Sequence, residues 1–269
     1  MEKEKPIGVF DSGIGGLTVV KRIASTLPNE NIVYFGDTAR VPYGSKSNET
    51  VIEYSIQNAR FLISKNVKAI VVACNTASSV ALKILKETFS IPVIGMIDPG
   101  ADYALKISRN NKIGIIGTRA TIANKAYSLA IKNRNPKTEV TEIACPLFVP
   151  LAEEGWIDHP ATFEIAREYL KDLKNSGIDT LVLGCTHYPI LYNTIQNVIG
   201  EKVVLVDSGV ASAGVVRSEI DRIGLKTNSN SQGQVDIYVS DIPNKFSEVA
   251  SLFMGKQINF VQKIDIESF

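Results

Sequence analysis

Residues 69–76 read AIVVACNT, and residues 180–187 read TLVLGCTH. Each is an apolar run that stops at a cysteine and passes at once into small polar residues. Two further pairs of blocks keep the same order. IGVFDSG from Ile7 matches IGIIGTR from Ile113, and IDPGA from Ile97 matches VDSGV from Val206. The three offsets are 111, 106 and 109 residues. Matches in one order at nearly constant spacing predict two copies of one structural unit, with a cysteine at the same place in each.

What surrounds these blocks sets the fold class. Strand character is read at 6–10, 31–36, 67–73, 91–96, 112–117, 138–143, 179–184, 202–207 and 234–240. Amphipathic stretches lie between them, as at 48–65, where Val51, Ile52, Ile56, Ala59, Leu62 and Ile63 follow helical spacing. Apolar strands alternating with helices predict α/β architecture with mostly parallel sheets flanked by helices. Duplication makes that two pseudo-symmetric domains with the active site in the cleft between them. The third block falls where each copy should end, so the joins are expected near Asp98 and Asp207. The terminal segment is then expected to return to the first domain, giving residues 1–97 plus 208–269 as one unit and 98–207 as the other.

Composition removes several function classes. The 269 residues are 45% hydrophobic and 21% charged, the profile of a well-packed globule. Lys and Arg number 29 against 28 Asp and Glu, a net charge of +1. That balance gives no electrostatic reason to expect nucleic acid or an anionic membrane as partner. The N-terminal MEKEKP is charged and runs straight into a strand. No signal peptide is expected, and the chain is placed in the cytoplasm. Three widely spaced cysteines argue against a disulfide framework, and neither CxxC nor HExxH occurs, so no metal is expected.

Chemistry is sought where parallel sheets gather ligands, at the carboxyl ends of strands. Cys74 and Cys185 are both expected there, each beside a helix N-terminus whose dipole favours thiolate. A lone cysteine ending an apolar strand reads as packing; two at equivalent positions read as function. Facing each other across a cleft, they would address one carbon from opposite sides. One sulfur removes a proton, the other returns one, and the product is the mirror image. A free thiol titrates near 8.5, so a modest depression would make the base available.

FDSGIGG at 10–16 carries no phosphate-loop pattern. Asp11 suits an ammonium group, and Ser12 with the following backbone N–H groups suits a carboxylate. The competing reading is an aspartate N-cap with structural glycines. Pro42–Tyr43–Gly44–Ser45 reads by itself as a turn, and Asn75, Thr76 and Thr186 as caps, although their doubled placement beside the thiols favours binding. The halves also differ in polar detail: His187 stands where the first copy has Thr76, and Asp11 aligns with Gly117. An asymmetric substrate requires such a difference. Cys145 before Pro146 reads as structural, and His159 before Pro160 as surface loop.

Taken together, FDSGIGGLT, YFGDTARVPYGSKS, ACNTAS, CPLFVPLAEEG and GCTHYP resemble the cofactor-independent aspartate/glutamate racemase family, over essentially the whole chain. The resemblance implies interconversion of L- and D-glutamate without pyridoxal phosphate or metal, supplying D-glutamate for peptidoglycan, and a homodimer. It implies that Cys74 deprotonates the D-enantiomer and Cys185 the L-enantiomer. Substrate contacts fall on Asp11, Ser12, Tyr43, Gly44, Asn75, Thr76, Thr186 and His187, with proton-handling support from Asp11, Glu153 and His187. Other readings stay open at this stage. They are a racemase of another substrate in the same superfamily, a cysteine amidase or hydrolase, and a non-catalytic two-domain binding protein.

Overall fold

A computed structural model describes residues 2–242, 246–258 and 260–269. Its strands are β1 (Ile7–Asp11), β2 (Ile32–Gly36), β3 (Ala69–Val72), β4 (Val93–Ile94), β5 (Lys112–Gly117), β6 (Glu139–Ala144), β7 (Thr180–Gly184), β8 (Val204–Asp207), β9 (Val235–Val239) and β10 (Gln262–Lys263). They form two separate parallel sheets. The first runs β10-β9-β2-β1-β3-β4 and the second β6-β5-β7-β8. Adding four to each strand of the series β2-β1-β3-β4 reproduces the second sheet, so the duplication read in the sequence is a duplication of topology.

β1, β2, β3 and β7 are buried at every residue, which is why their sequences are continuous apolar runs rather than alternating ones. Edge strand β6 is only partly covered, and its sequence EVTEIA carries two glutamates and a threonine accordingly. The two-residue β10 is exposed and polar, with nothing in its sequence to mark it. β9 pairs in parallel with β2 and carries β10 on its far side.

Helices cover the sheets. Helix Asn48–Ser64 is started by Ser47, whose hydroxyl accepts the Thr50 N–H at 3.3 Å. It presents Val51, Ala59, Phe61 and Leu62 to the first sheet. Helices Ile97–Ile107 and Ser208–Arg222 occupy the passages between the sheets, and Ser208–Arg222 packs on both Leu17–Thr26 and Ile97–Ile107. Arg22 reaches from Leu17–Thr26 to Asp207 at the end of β8, with 3.1 Å between the charged atoms. No helix among the described residues is long and apolar enough to cross a membrane.

Candidate active site

In each sheet the strand order reverses at the same place, between β1 and β3 and between β5 and β7. A reversal opens a crevice beyond the carboxyl ends of the two strands. Phe10 lies opposite Val72 in the first sheet, and Gly117 opposite Gly184 in the second. The residues leaving those strands are Asp11, Ser12 and Cys74 on one side, and Thr118 and Cys185 on the other. The two crevices face each other and enclose one cavity of about 20 Å³. Ser12, Tyr43, Gly44, Cys74, Asn75, Thr76, Cys185, Thr186 and His187 line it, joined by Val41, Pro42, Thr118 and Val149. Asp11 and Glu153 do not line it; each stands one residue behind.

Cys74 caps the short helix Asn75–Val80, its sulfur accepting the Ala77 N–H at 3.5 Å. Its thiol faces the Ser12 hydroxyl oxygen at 3.6 Å. Cap position alone predicts an acidic thiol, and the opposite holds. Burial, then the negative charge of Asp11, pushes the Cys74 thiol up to about 12, and the Ala77 and Ser12 contacts only partly oppose them. The helix has six residues and little dipole to offer, whereas desolvation acts on the whole charge.

The second cysteine differs in kind. No α-helix starts beside it. Pro189 lacks an N–H, and the chain tightens into the 3₁₀ turn Tyr188–Leu191. His187 supplies the neighbouring charge instead. Its Nδ1 lies 3.8 Å from the Cys185 sulfur, and its Nε2 lies 2.8 Å from Glu153 Oε1. Burial opposes the imidazolium, but the contacts with Cys185 and Glu153 outweigh it and push His187 up to about 10. These contacts favour the imidazolium, the form in which both ring nitrogens donate. Glu153 is about one-third exposed and joins the buried imidazolium to the surface.

Asp11 is fully buried. One carboxylate oxygen accepts the Gly13 N–H at 3.1 Å and the other the Thr186 hydroxyl at 3.3 Å. Burial raises its pKa, against the pull of the His187 charge. The N-cap alternative for Asp11 fails, because the helix that follows starts at Leu17 with Gly16 in the cap position. Thr186 ties the halves together, since its carbonyl also accepts the Thr18 hydroxyl at 2.9 Å.

Tyr43 borders the cavity, but its hydroxyl points away from it. That hydroxyl donates to the buried Asp37 and accepts from Asn58 at 3.0 Å. Gly44 lies against the second half: a Cβ there would stand 2.6 Å from the Thr118 Cβ. The Thr76 hydroxyl meets that of Thr118 at 2.9 Å and that of Thr121 at 3.2 Å. Asn75 is buried, and its Nδ2 has no hydrogen-bond partner among the described residues.

Thr118 is the polar lining residue that sequence reasoning missed. A signal was available, because the block match that set Asp11 against Gly117 also sets Ser12 against Thr118. Cys145 is fully buried, with its sulfur 3.8 Å from the Ile143 carbonyl and outside the cavity lining. His159 caps helix Pro160–Asn175 by accepting the Ala161 N–H at 3.1 Å.

The profile of the Asp/Glu/hydantoin racemase family matches residues 7–216. A glutamate racemase of Geobacter metallireducens is 52% identical over 265 residues, covering 98% of both chains. One of Chlorobaculum tepidum is 48% identical over 265 residues, covering 98% of this chain and 97% of that one. The crystal structure of Francisella tularensis glutamate racemase in complex with D-glutamate superposes with a TM-score of 0.93 at 40% identity. It covers 99% of this chain and 100% of that one. The facing, duplicated crevices are thus those of a known group of isomerases: the chain belongs to the Asp/Glu/hydantoin racemase family and is an amino-acid racemase.

Proposed function

We propose that the chain interconverts L- and D-glutamate by a two-base reaction in which Cys74 and Cys185 address opposite faces of Cα. The observation that carries this reading is one narrow cavity bordered by a cysteine from each half of the duplicated scaffold. A thiolate on one side takes the Cα proton, and the carbanion takes a proton from the thiol on the other. The substrate is inverted, and the two sulfurs have exchanged protonation states. Cys74 acts as base on the D-enantiomer and Cys185 on the L-enantiomer.

The surroundings of the two sulfurs suit unequal duties. Cys74, pushed up to about 12, rests as a thiol ready to donate. To act as base it needs positive charge nearby, and a substrate ammonium in the cavity supplies it by offsetting the Asp11 charge, which adds to burial in holding the thiol protonated. Cys185 has the His187 imidazolium at its side, with Glu153 beyond. That pair returns a proton to the sulfur or takes one out to solvent after each turnover. Ser12, Asn75 and Thr76 offer donors to the two substrate carboxylates, while Thr186 borders the substrate with its hydroxyl already donated to Asp11. Tyr43 and Gly44 contribute wall and backbone, because the Tyr43 hydroxyl is already engaged by Asp37.

A cavity of about 20 Å³ has room for about one water, so glutamate enters only when the two halves part. We assign the moving units to residues 1–97 plus 208–269 and to residues 98–207. In the cell the product D-glutamate would feed peptidoglycan synthesis in the cytoplasm, and two copies of the chain would pair as a homodimer.

Incubation with either glutamate enantiomer in heavy water tests the reaction. Deuterium should appear at Cα while optical rotation decays to zero. Cys74→Ala and Cys185→Ala should each stop racemisation with the fold retained. Glutamate that stays unlabelled and optically pure refutes the activity. Near-normal turnover in either variant refutes the two-base scheme.

A further inference from the structure

Tyr127 opens helix Ala126–Arg134 in the second half of the molecule and is fully buried. Its ring is slotted between two glycines. A Cβ on Gly100 would stand 3.0 Å from one ring edge, and a Cβ on Gly184 would stand 3.2 Å from the other. From that slot the hydroxyl crosses to the first half and donates to Asn75 Oδ1 at 2.7 Å. Burial raises the Tyr127 pKa, so the hydroxyl keeps its proton throughout the working range.

The consequence falls on the other end of the amide. Asn75 lines the cavity, and with Oδ1 occupied its Nδ2 is left buried and without a partner among the described residues. A buried amide donor without an acceptor is costly, and a ligand that supplies the acceptor recovers that cost on binding. The substrate ammonium has no acceptor to offer; its carboxylates do. Rotating the amide by half a turn would aim the carbonyl at the cavity, where it repels a carboxylate. The Tyr127 proton would also lose Asn75 Oδ1 as its acceptor. We propose that Tyr127 is a positioning residue that locks the Asn75 side chain, across the two halves, with its N–H₂ presented to a substrate carboxylate oxygen. This rests on the glutamate reading of the cavity and adds the element that orients one of its donors.

The test is a double-mutant cycle in the full-length enzyme, assayed with L- and D-glutamate. Tyr127→Phe removes only the hydroxyl and keeps the ring in its slot. It should raise KM for both enantiomers about tenfold, with kcat within about threefold of the parent. Asn75→Ala should raise KM at least as much. The double variant should be no worse than Asn75→Ala alone, because Tyr127 acts only through that amide. Tyr127→Phe with unchanged KM overturns the inference, as do losses that multiply in the double variant, which is the signature of a merely structural role. If Asn75→Ala itself leaves KM unchanged, the placement of the carboxylate at Asn75 fails and takes the inference with it. Racemisation by the parent enzyme separates that result from failure of the glutamate reading.

Discussion

Gly15→Ala is the sharpest test of the narrow cavity, because one methyl group is asked to disable an enzyme that still folds. Gly15 follows Ser12 and sits directly under the second half. A Cβ at this position would press on the Thr186 hydroxyl and stand 2.5 Å from both Cε1 and Nδ1 of His187. Ordinary van der Waals contact starts at 3.4 Å, so the imidazole must retreat by about 0.9 Å. The ring cannot do so and keep its place between Cys185 at 3.8 Å and Glu153 at 2.8 Å. A misplacement of about 1 Å in a catalytic constellation costs about 100-fold in rate, and overpacking costs about 1–3 kcal/mol of stability. Loss of circular dichroism from L- and from D-glutamate, followed over time, gives kcat/KM in each direction. Both values should fall about 100-fold, while a thermal melt shows one cooperative transition. A folded Gly15→Ala variant within about threefold of the parent in both directions would refute the claim that catalysis needs the halves this close.

Three other outcomes follow from single features. Cys145→Ala should leave racemisation in both directions near the parental rate, since its sulfur lies outside the cavity; a large loss of kcat would mean a proton carrier had been overlooked. Lys68→Met should lower stability by about 3–5 kcal/mol in a urea titration, because Lys68 is the buried partner of the buried Glu30 and its removal strands that charge. Adding Glu30→Gln should recover part of the loss. His187 is raised from 6.5 to about 10, so its contribution to stability is complete below about pH 6.5 and is lost as pH climbs towards 10. Melting temperature should therefore decline across that window, and His187→Asn should flatten the decline.

Much of this was legible in the residues because burial writes itself into sequence. β1, β3, β5 and β7 are nearly or wholly buried, so they read as unbroken apolar runs, and their carboxyl ends are marked by the first polar residues that follow. That contrast exposed Cys74, Cys185 and Ser12. β10 left no trace, because two exposed residues on a sheet edge bury nothing. Thr118 passed unnoticed because threonine at a strand–helix turn is ordinary capping chemistry, and only the facing half gives it a second use. For Cys74 the residues offered two opposed influences, a helix N-terminus that favours thiolate and a charged Asp11 that raises a nearby thiol. Burial, the largest influence on it, comes from chain distant in sequence.

The sequence by itself determined the duplicated α/β scaffold and the two cysteines at equivalent strand ends, since each rests on order and periodicity along one chain, and its motifs marked the family by resemblance. Only the tertiary structure decided that Tyr43 turns its hydroxyl to Asp37, that Tyr127 reaches Asn75, and that His187 stands between Cys185 and Glu153. Some of these relations join residues far apart in the chain, and the rest depend on side-chain directions that packing sets. Their strength depends on distance and on the water that packing removes, and neither quantity is carried by any stretch of sequence alone.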